Sequence, residues 1–297
     1  MTQSITEEQL AALSHNQRER LTYLEFCLYF LGEFRRADLM ARFSIASAMA
    51  TRDIGQYKLL AEHNLELHQP SKAYRISRQF VPVFEHRLEQ VMGALMQGEG
   101  YGVESTGEAM LPCEYPSILN RPQLPILGAV TRAIRAQKLL RIRYHSASSG
   151  EQERVIAPFA IVDSGLRWHT RAFDRLRESF IDLVITRIVN AEVLDDYPKK
   201  HELPTADIQW NRVVELELVP HPAHNDAAIA ELDYGMANGV LNVHVRAANA
   251  GYMLRRWFVD CSPNHALQDE ACRLWLRNGI ALYGVESAKL APGYDGP

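Results

Sequence analysis

A glycine- and proline-rich stretch from Met92 to Pro125 constrains this chain more than any other feature. It holds Gly93, Gly98, Gly100, Gly102 and Gly107, then Pro112, Pro116, Pro122 and Pro125. Glycine is costly to order and proline removes a backbone donor, so no single core element runs through such a segment. The stretch reads as a connector, and 297 residues are enough for more than one hydrophobic core. A weaker break falls at Asp195–Thr205, where charges and two prolines interrupt the apolar pattern. The expected organisation is α+β and multidomain: a first domain over 1–90, a linker over 91–122, a central domain over 123–200 and a C-terminal extension over 201–297.

Ahead of the connector, apolar residues recur at helical spacing. Leu21, Leu24, Leu28 and Leu31 predict a helix over Arg18–Leu31 that Gly32 ends. A short helix follows at Arg36–Arg42, then a tight turn at Phe43–Ile45. The next helix spans about Ala46 to Glu62, with Met49, Ile54, Leu59 and Leu60 on its buried side. Two short strands, Leu65–Gln69 and Ala73–Ser77, are joined by Pro70, Ser71 and Lys72. That order is a winged helix-turn-helix.

The residue types suit DNA. Between Arg35 and Arg78 there are eight basic and four acidic side chains. Ser44, Ser47, Thr51, Arg52, Gln56 and Lys58 give a recognition helix small residues near its start and polar ones on its exposed face, and arginine can read guanine through two hydrogen bonds. On the wing, Lys72, Arg75 and Arg78 are placed for phosphates. A small helical domain that binds another protein would show much of the same pattern.

Charge is distributed unevenly behind the net value of −4. Residues 1–90 balance, 91–120 carry four acids and no base, 121–190 carry twelve bases against six acids, and 191–297 carry nine against fifteen. A basic middle between acidic flanks implies an anionic partner for the middle, or else scattered solvated arginines. No run approaches the ~18 apolar residues of a membrane helix. The polar, acidic start MTQSITEEQL is not a signal peptide, so a cytoplasmic protein is expected. Four cysteines without a CxxC pair read as reduced thiols.

The middle predicts a helix at Leu127–Gln137 and short strands at Leu139–Tyr144, Arg154–Pro158, Phe159–Val162, Leu166–Phe173, Ser179–Leu183 and Arg187–Val193, with Asp163-Ser164-Gly165 as a hairpin turn. Strands so spaced suggest a small β-barrel of the Sm or SH3 kind. On one strand Arg167, His169, Arg171 and Phe173 share a face, and Trp168, Thr170 and Ala172 the other. Two arginines and a histidine in line, with an aromatic nearby, suit a phosphate or nucleotide. Trp168 either stacks on a base or belongs to the core.

From Trp210 onward the pattern reads strand (Val213–Val219), helix (Ala223–Leu232), strand (Gly239–Arg246), helix (Ala250–Phe258) and a last helix over His265–Leu276, compatible with a ferredoxin-like α/β fold. Arg255-Arg256-Trp257 stands out there as a contact for a ligand or a partner chain, or as a plain surface helix. Catalytic readings are weak. His221 and His224 lack the glutamate and third ligand of a metalloprotease helix, Cys261 with His265 has no orienting group, and Gly98–Gly102 lacks the strand and helix of a nucleotide loop. The expectation is no enzyme, no metal and no cofactor.

The run RWHTRAFD (Arg167–Asp174) resembles the signature strand of WYL domains. Its surroundings are similar too: LRIRYHS (Leu140–Ser146), RVIAPFAIV (Arg154–Val162) and FIDLVITRIVNAEVL (Phe180–Leu194), with TRI (Thr186–Ile188) closing the domain. TRDI (Thr51–Ile54) is similar to the end of the recognition helix in these regulators. The whole chain thus resembles winged-helix, WYL and C-terminal-extension transcriptional regulators found beside bacterial phage-defence islands, BREX and CBASS loci among them. His169 and Thr170 stand where the signature has Tyr and Leu, which would change the ligand or tie its binding to pH. The resemblance implies a repressor that binds an inverted-repeat operator in double-stranded DNA as a homodimer, its C-terminal extension supporting the dimer. It also implies an anionic effector, a nucleotide or single-stranded nucleic acid, at Tyr144, Ser146, Arg154, His169, Arg171 and Arg187. For Arg154 and Arg187, salt bridges to Asp174, Asp182 or Glu178 are the competing role. The alternative is a single-stranded nucleic acid or nucleotide sensor with the winged helix as its output.

Overall fold

The computed structural model describes residues 10–100, 109–114, 119–224, 226–267 and 269–296. The chain divides into two compact units, one ending at residue 117 and the other starting at 118.

In the first unit, α1 (His15–Phe26) starts where the Ser14 hydroxyl accepts the Gln17 N–H, and passes into a π-helical turn (Cys27–Leu31) that stops at Gly32 with φ +82°. Then follow β1 (Glu33–Phe34), α2 (Arg36–Phe43), α3 (Ser47–Leu60), β2 (Leu65–His68), β3 (Ala73–Ile76) and α4 (Leu88–Gln97). The antiparallel sheet has the order β1-β3-β2. β1 was not expected, because two residues are too few to show an alternation. Nor was α4, most of which lies in the expected connector. Its Val91 and Ala94 pack into the same core as Leu21, Leu24, Phe26 and Tyr57. A helix needs only a one-sided apolar stripe, and the glycines behind it, one of them the left-handed cap Gly98, do not interrupt that stripe. Residues 101–108 and 115–118 of the expected connector lie outside the described residues.

In the second unit, α5 (Leu124–Ala136) precedes β4 (Leu140–Ser146), β5 (Gly150–Asp163), β6 (Trp168–Asp174), β7 (Ser179–Val184) and β8 (Ile188–Val193). The sheet is antiparallel in the order β7-β6-β5-β4-β8. Ile126, Val130 and Ala133 of α5 join Leu140, Ile142, Ile156 and Leu183 in its core. The strands expected at 154–158 and 159–162 are one strand whose register shifts between Pro158 and Ala160, as proline cannot donate to the ladder there. The expected closed barrel is not seen. Among the described residues no ladder joins β7 to β8; the Val184 N–H of β7 instead reaches the Tyr144 hydroxyl of β4 at 3.3 Å.

Beyond it come α6 (Ile208–Asn211), β9 (Val213–Pro220), α7 (Ala227–Asp233), β10 (Leu241–Arg246), α8 (Ala247–Arg256), β11 (Val259–Asp260) and β12 (Leu274–Leu276). Their sheet has the order β10-β9-β12-β11. β9 and β10, on either side of α7, are antiparallel, whereas a ferredoxin-like crossover would leave them parallel. The helix expected over 265–276 is not formed among the described residues, and Leu274–Leu276 are β12. The Asp260 carboxylate takes the Ser262 and Leu267 N–H groups and the Ser262 hydroxyl takes that of Ala266, which diverts backbone donors from helical bonding. α8 packs against residues 286–290, where a Cβ on Gly251 would fall 1.8 Å from the Ser287 carbonyl oxygen. Among the described residues no helix is long and apolar enough to cross a membrane.

Candidate functional site

The first candidate surface is the exposed side of α3. α2 and α3 are joined through Ser44, whose φ of +50° reverses the chain in the left-handed region. The buried side of α3 is Ala50, Asp53, Ile54, Tyr57 and Leu60. Met49 and Leu59, expected there, are exposed instead (40% and 78%). The polar pair Asp53 and Tyr57 takes the inward positions because both side chains are satisfied. Arg20 grips the Asp53 carboxylate at 2.6 and 3.2 Å, and the Tyr57 hydroxyl donates to Glu25 at 2.7 Å. Glu25, fully buried, also accepts the Val83 and Phe84 N–H groups, which ties α1 to the segment after the wing. Two hydrogen-bonded anchors therefore fix the rotation of α3 about its axis.

Opposite those anchors, Ala48, Thr51, Arg52, Gly55 and Leu59 are exposed, with Ser47, Gln56 and Lys58 half-buried on the flanks. The Lys58 ammonium lies 4.9 Å from the Tyr74 ring of β3, linking the helix to the wing. Lys72 sits at the wing tip with φ +55° and bonds Gln69. Arg75 is partly neutralised by Glu33 at 3.3 Å. Arg36 was missed by sequence reasoning. From the first turn of α2 its guanidinium donates to the Thr51 hydroxyl at 3.3 Å, so an exposed cation borders the start of α3. Only the spacing of 15 residues across a turn would have signalled it.

The second candidate surface surrounds β6. Every residue from His169 to Asp174 is buried, on both faces of the strand. The Arg171 guanidinium is held by Asp207 at 2.8 and 3.2 Å and by Asp182 at 3.3 Å. Arg154 is held by Asp174 at 2.6 Å and Gln152 at 3.0 Å, with Tyr144 beneath it, 5.4 Å from ring centre to guanidinium. Ser146 caps the β4–β5 turn by accepting from Ser148 and Ser149. Trp168 is half-buried against the sheet core.

His169 and Arg187 stand apart from these pairs. The His169 ring is buried beside Tyr252 of α8, centroids 5.0 Å apart, and its Nδ1 has no partner. Burial, with help from the Arg167 and Arg187 charges, lowers its pKa to about 4. The guanidinium groups of Arg167 and Arg187 are half-buried and, among the described residues, meet no carboxylate. Arg256 lies across the β5–β6 turn, where a Cβ on Gly165 would fall 2.6 Å from its Nε. Tyr144 reaches this end of the sheet too, since its hydroxyl takes the N–H of Val184, the residue paired with His169. Here, among the described residues, the positive charge of Arg167 and Arg187 is held by no ion pair, and Asp163 is the nearby carboxylate that His169 feels.

His221, His224 and Cys261 of the C-terminal part have internal roles. His221 bonds Asp260 at 3.1 Å, both fully buried, and His224 bonds the Cys272 carbonyl. Burial pushes the Cys261 thiol up to about 12, far from a thiolate.

Three family models match the chain: the BrxR transcriptional regulator winged helix-turn-helix domain over residues 16–97, the WYL domain over 125–193, and the BrxR transcriptional regulator C-terminal dimerization domain over 213–282. A winged helix, a WYL domain and a dimerization domain in one chain define a WYL-type transcriptional regulator. The DNA-binding transcriptional repressor CapW of Stenotrophomonas maltophilia is 32% identical over 249 residues, 80% of this chain and 82% of that protein. CapW of Pseudomonas aeruginosa is 31% identical over 247 residues (80% and 81%), and that of Escherichia coli 28% over 277 (91% of each). The chain belongs to the CapW family.

Proposed function

We propose that this protein is a dimeric repressor that reads double-stranded DNA with α3, holds phosphates with the wing, and answers to an anionic effector bound beside His169. The observation that carries the DNA reading is the pinned helix. Arg20–Asp53 and Tyr57–Glu25 turn Thr51, Arg52 and Gly55 outward as one stripe. A two-fold dimer presents two such helices, so the operator is an inverted repeat with half-sites about one helical turn, or a multiple of it, apart. The CapW relatives are repressors by name, and control of a phage-defence locus follows from that kinship.

The effector site is narrower than the six residues of the family pattern. Arg154 and Arg171 spend their charge on Asp174 and Asp207. Arg187 keeps its charge free and Arg167 joins it, with His169 and Tyr144 alongside. Two uncompensated guanidiniums suit a phosphate-bearing ligand.

Footprinting on the DNA upstream of the gene tests the DNA reading. Protection of two symmetric half-sites is expected, and a single uninterrupted or random footprint contradicts it. For the effector, Arg167→Ala combined with Arg187→Ala is expected to leave DNA affinity intact and to abolish the response to short single-stranded DNA or nucleotides. A normal response from that variant moves the site elsewhere.

A further inference from the structure

The outward face of α3 carries one polar side chain whose hydroxyl is already committed. Thr51, in the second turn, is exposed, and the Arg20–Asp53 and Tyr57–Glu25 anchors hold it away from the core. Its hydroxyl donates to the Ser47 carbonyl one turn earlier at 2.9 Å and accepts from the Arg36 guanidinium of α2 at 3.3 Å. A threonine hydroxyl has one proton to give, and here the helix backbone takes it. No donor is left for guanine O6 and N7 or thymine O4, the acceptors of the major groove.

With the oxygen turned back toward the helix and α2, the γ-methyl is the part of Thr51 left facing outward. The Ala48 methyl, exposed three residues earlier, adjoins it on the same face, and Gly55 adds no bulk one turn later. These side chains make a small apolar patch on the N-terminal half of the helix, the part that meets base edges in helix-turn-helix docking. Arg52 beside it has no ion pair among the described residues, so its own donors stay available. The apolar group that the major groove presents is the C5 methyl of thymine.

We propose that Thr51 reads the 5-methyl group of one thymine in each operator half-site by apolar contact, which rests on α3 being the helix that reads DNA. The rival role uses the remaining lone pair of the hydroxyl, accepting from cytosine N4 or adenine N6. The two roles depend on opposite ends of the side chain, so conservative variants separate them.

The test uses the duplex upstream of the gene, with each thymine of the footprinted half-sites replaced in turn, symmetrically, by deoxyuridine. That change removes the methyl and keeps the base pair. Affinity is titrated by fluorescence anisotropy for the unsubstituted whole chain, Thr51→Val and Thr51→Ser, with circular dichroism expected to be alike for all three. At one position the unsubstituted chain is expected to lose about four-fold per half-site, about fifteen-fold for the pair, the scale of one methyl group returned to water. Thr51→Val keeps the methyl and discards the hydroxyl, and is expected to retain that penalty. Thr51→Ser does the reverse, and is expected to bind the thymine and deoxyuridine duplexes within about two-fold of each other. Indifference of the unsubstituted chain to every deoxyuridine, a penalty that survives in Thr51→Ser, or one that vanishes in Thr51→Val overturns the methyl contact and leaves α3 as the reading helix. An unsubstituted chain with no preference for the upstream duplex over a scrambled one overturns both.

Discussion

Arg171, in the middle of β6, is gripped at 2.8 and 3.2 Å by Asp207, a residue of the C-terminal part that also caps α6 by accepting the Trp210 N–H. Both side chains are almost wholly buried. The pair therefore fastens β6, the second strand of the WYL sheet, to the segment leading into the dimerization domain. A change at one is felt at the other.

Asp207→Ala leaves a buried guanidinium with Asp182 as its remaining carboxylate and is expected to cost about 3–5 kcal/mol. Chemical denaturation measures it. Replacing both residues, Arg171→Met with Asp207→Leu, is expected to recover much of that loss, since no unpaired charge remains. A double variant as unstable as the single one would show that packing, not charge, holds the junction.

His169 makes stability depend on pH. Its pKa is about 4 folded, against about 6.5 for an unperturbed histidine. Between those values the unfolded chain binds more protons, so stability is full above pH ~6.5 and falls as pH drops toward 4, by up to about 3 kcal/mol. Burial of the ring sets this sign first; the Arg167 and Arg187 charges add to it, while the Arg167 backbone and the Asp163 carboxylate favour the charged ring more weakly than burial opposes it. Denaturation midpoints for the unsubstituted chain and His169→Gln, compared at pH 7 and pH 5, check the slope; the variant is expected to lose it.

Gly55 lies on the outward stripe of α3, and a Cβ there would meet open space. Gly55→Ala is expected to stabilise the helix by about 0.5–1 kcal/mol. It should at the same time weaken specific DNA binding, because the added methyl stands between backbone and groove. Melting and DNA affinity moving in opposite directions is the signature; a gain in both places this face away from the DNA.

Arg36 is expected to act as a phosphate contact. Arg36→Ala should weaken binding to operator and random duplex by similar factors, and lower the slope of log affinity against log salt by about 1. A change in sequence preference with an unaltered slope would instead make it a base reader.

Much of this was legible in the sequence where a local pattern decides the outcome. Leu21 and Leu24 give α1, and Leu28 its π-helical continuation, at helical spacing, and the alternation of LRIRY gives β4. The WYL signature located β6. What stayed hidden depends on long-range partners. The rotation of α3 is set by Asp53 and Tyr57, polar residues whose burial is intelligible only once Arg20 and Glu25 are beside them. By sequence the basic middle implies either an external anion or scattered solvated arginines. Part of its charge is answered from within by the acidic segment that follows, through Lys138–Asp195, Arg141–Glu192, Arg171–Asp207 and Arg175–Glu202. The excess and the deficit were both visible along the chain, and nothing local showed that they are partners.

The most direct measurement of the central claim is the affinity of the whole chain for the duplex upstream of its gene and for a scrambled duplex of equal length, by fluorescence anisotropy at one fixed physiological salt concentration. The account predicts a preference of at least about 10³ for the upstream duplex. It also predicts that Arg52→Ala with Lys58→Ala removes at least about ten-fold of the specific affinity, with the variant still folded by circular dichroism. Equal affinity for the two duplexes, or a double variant that binds like the unsubstituted chain, would contradict it.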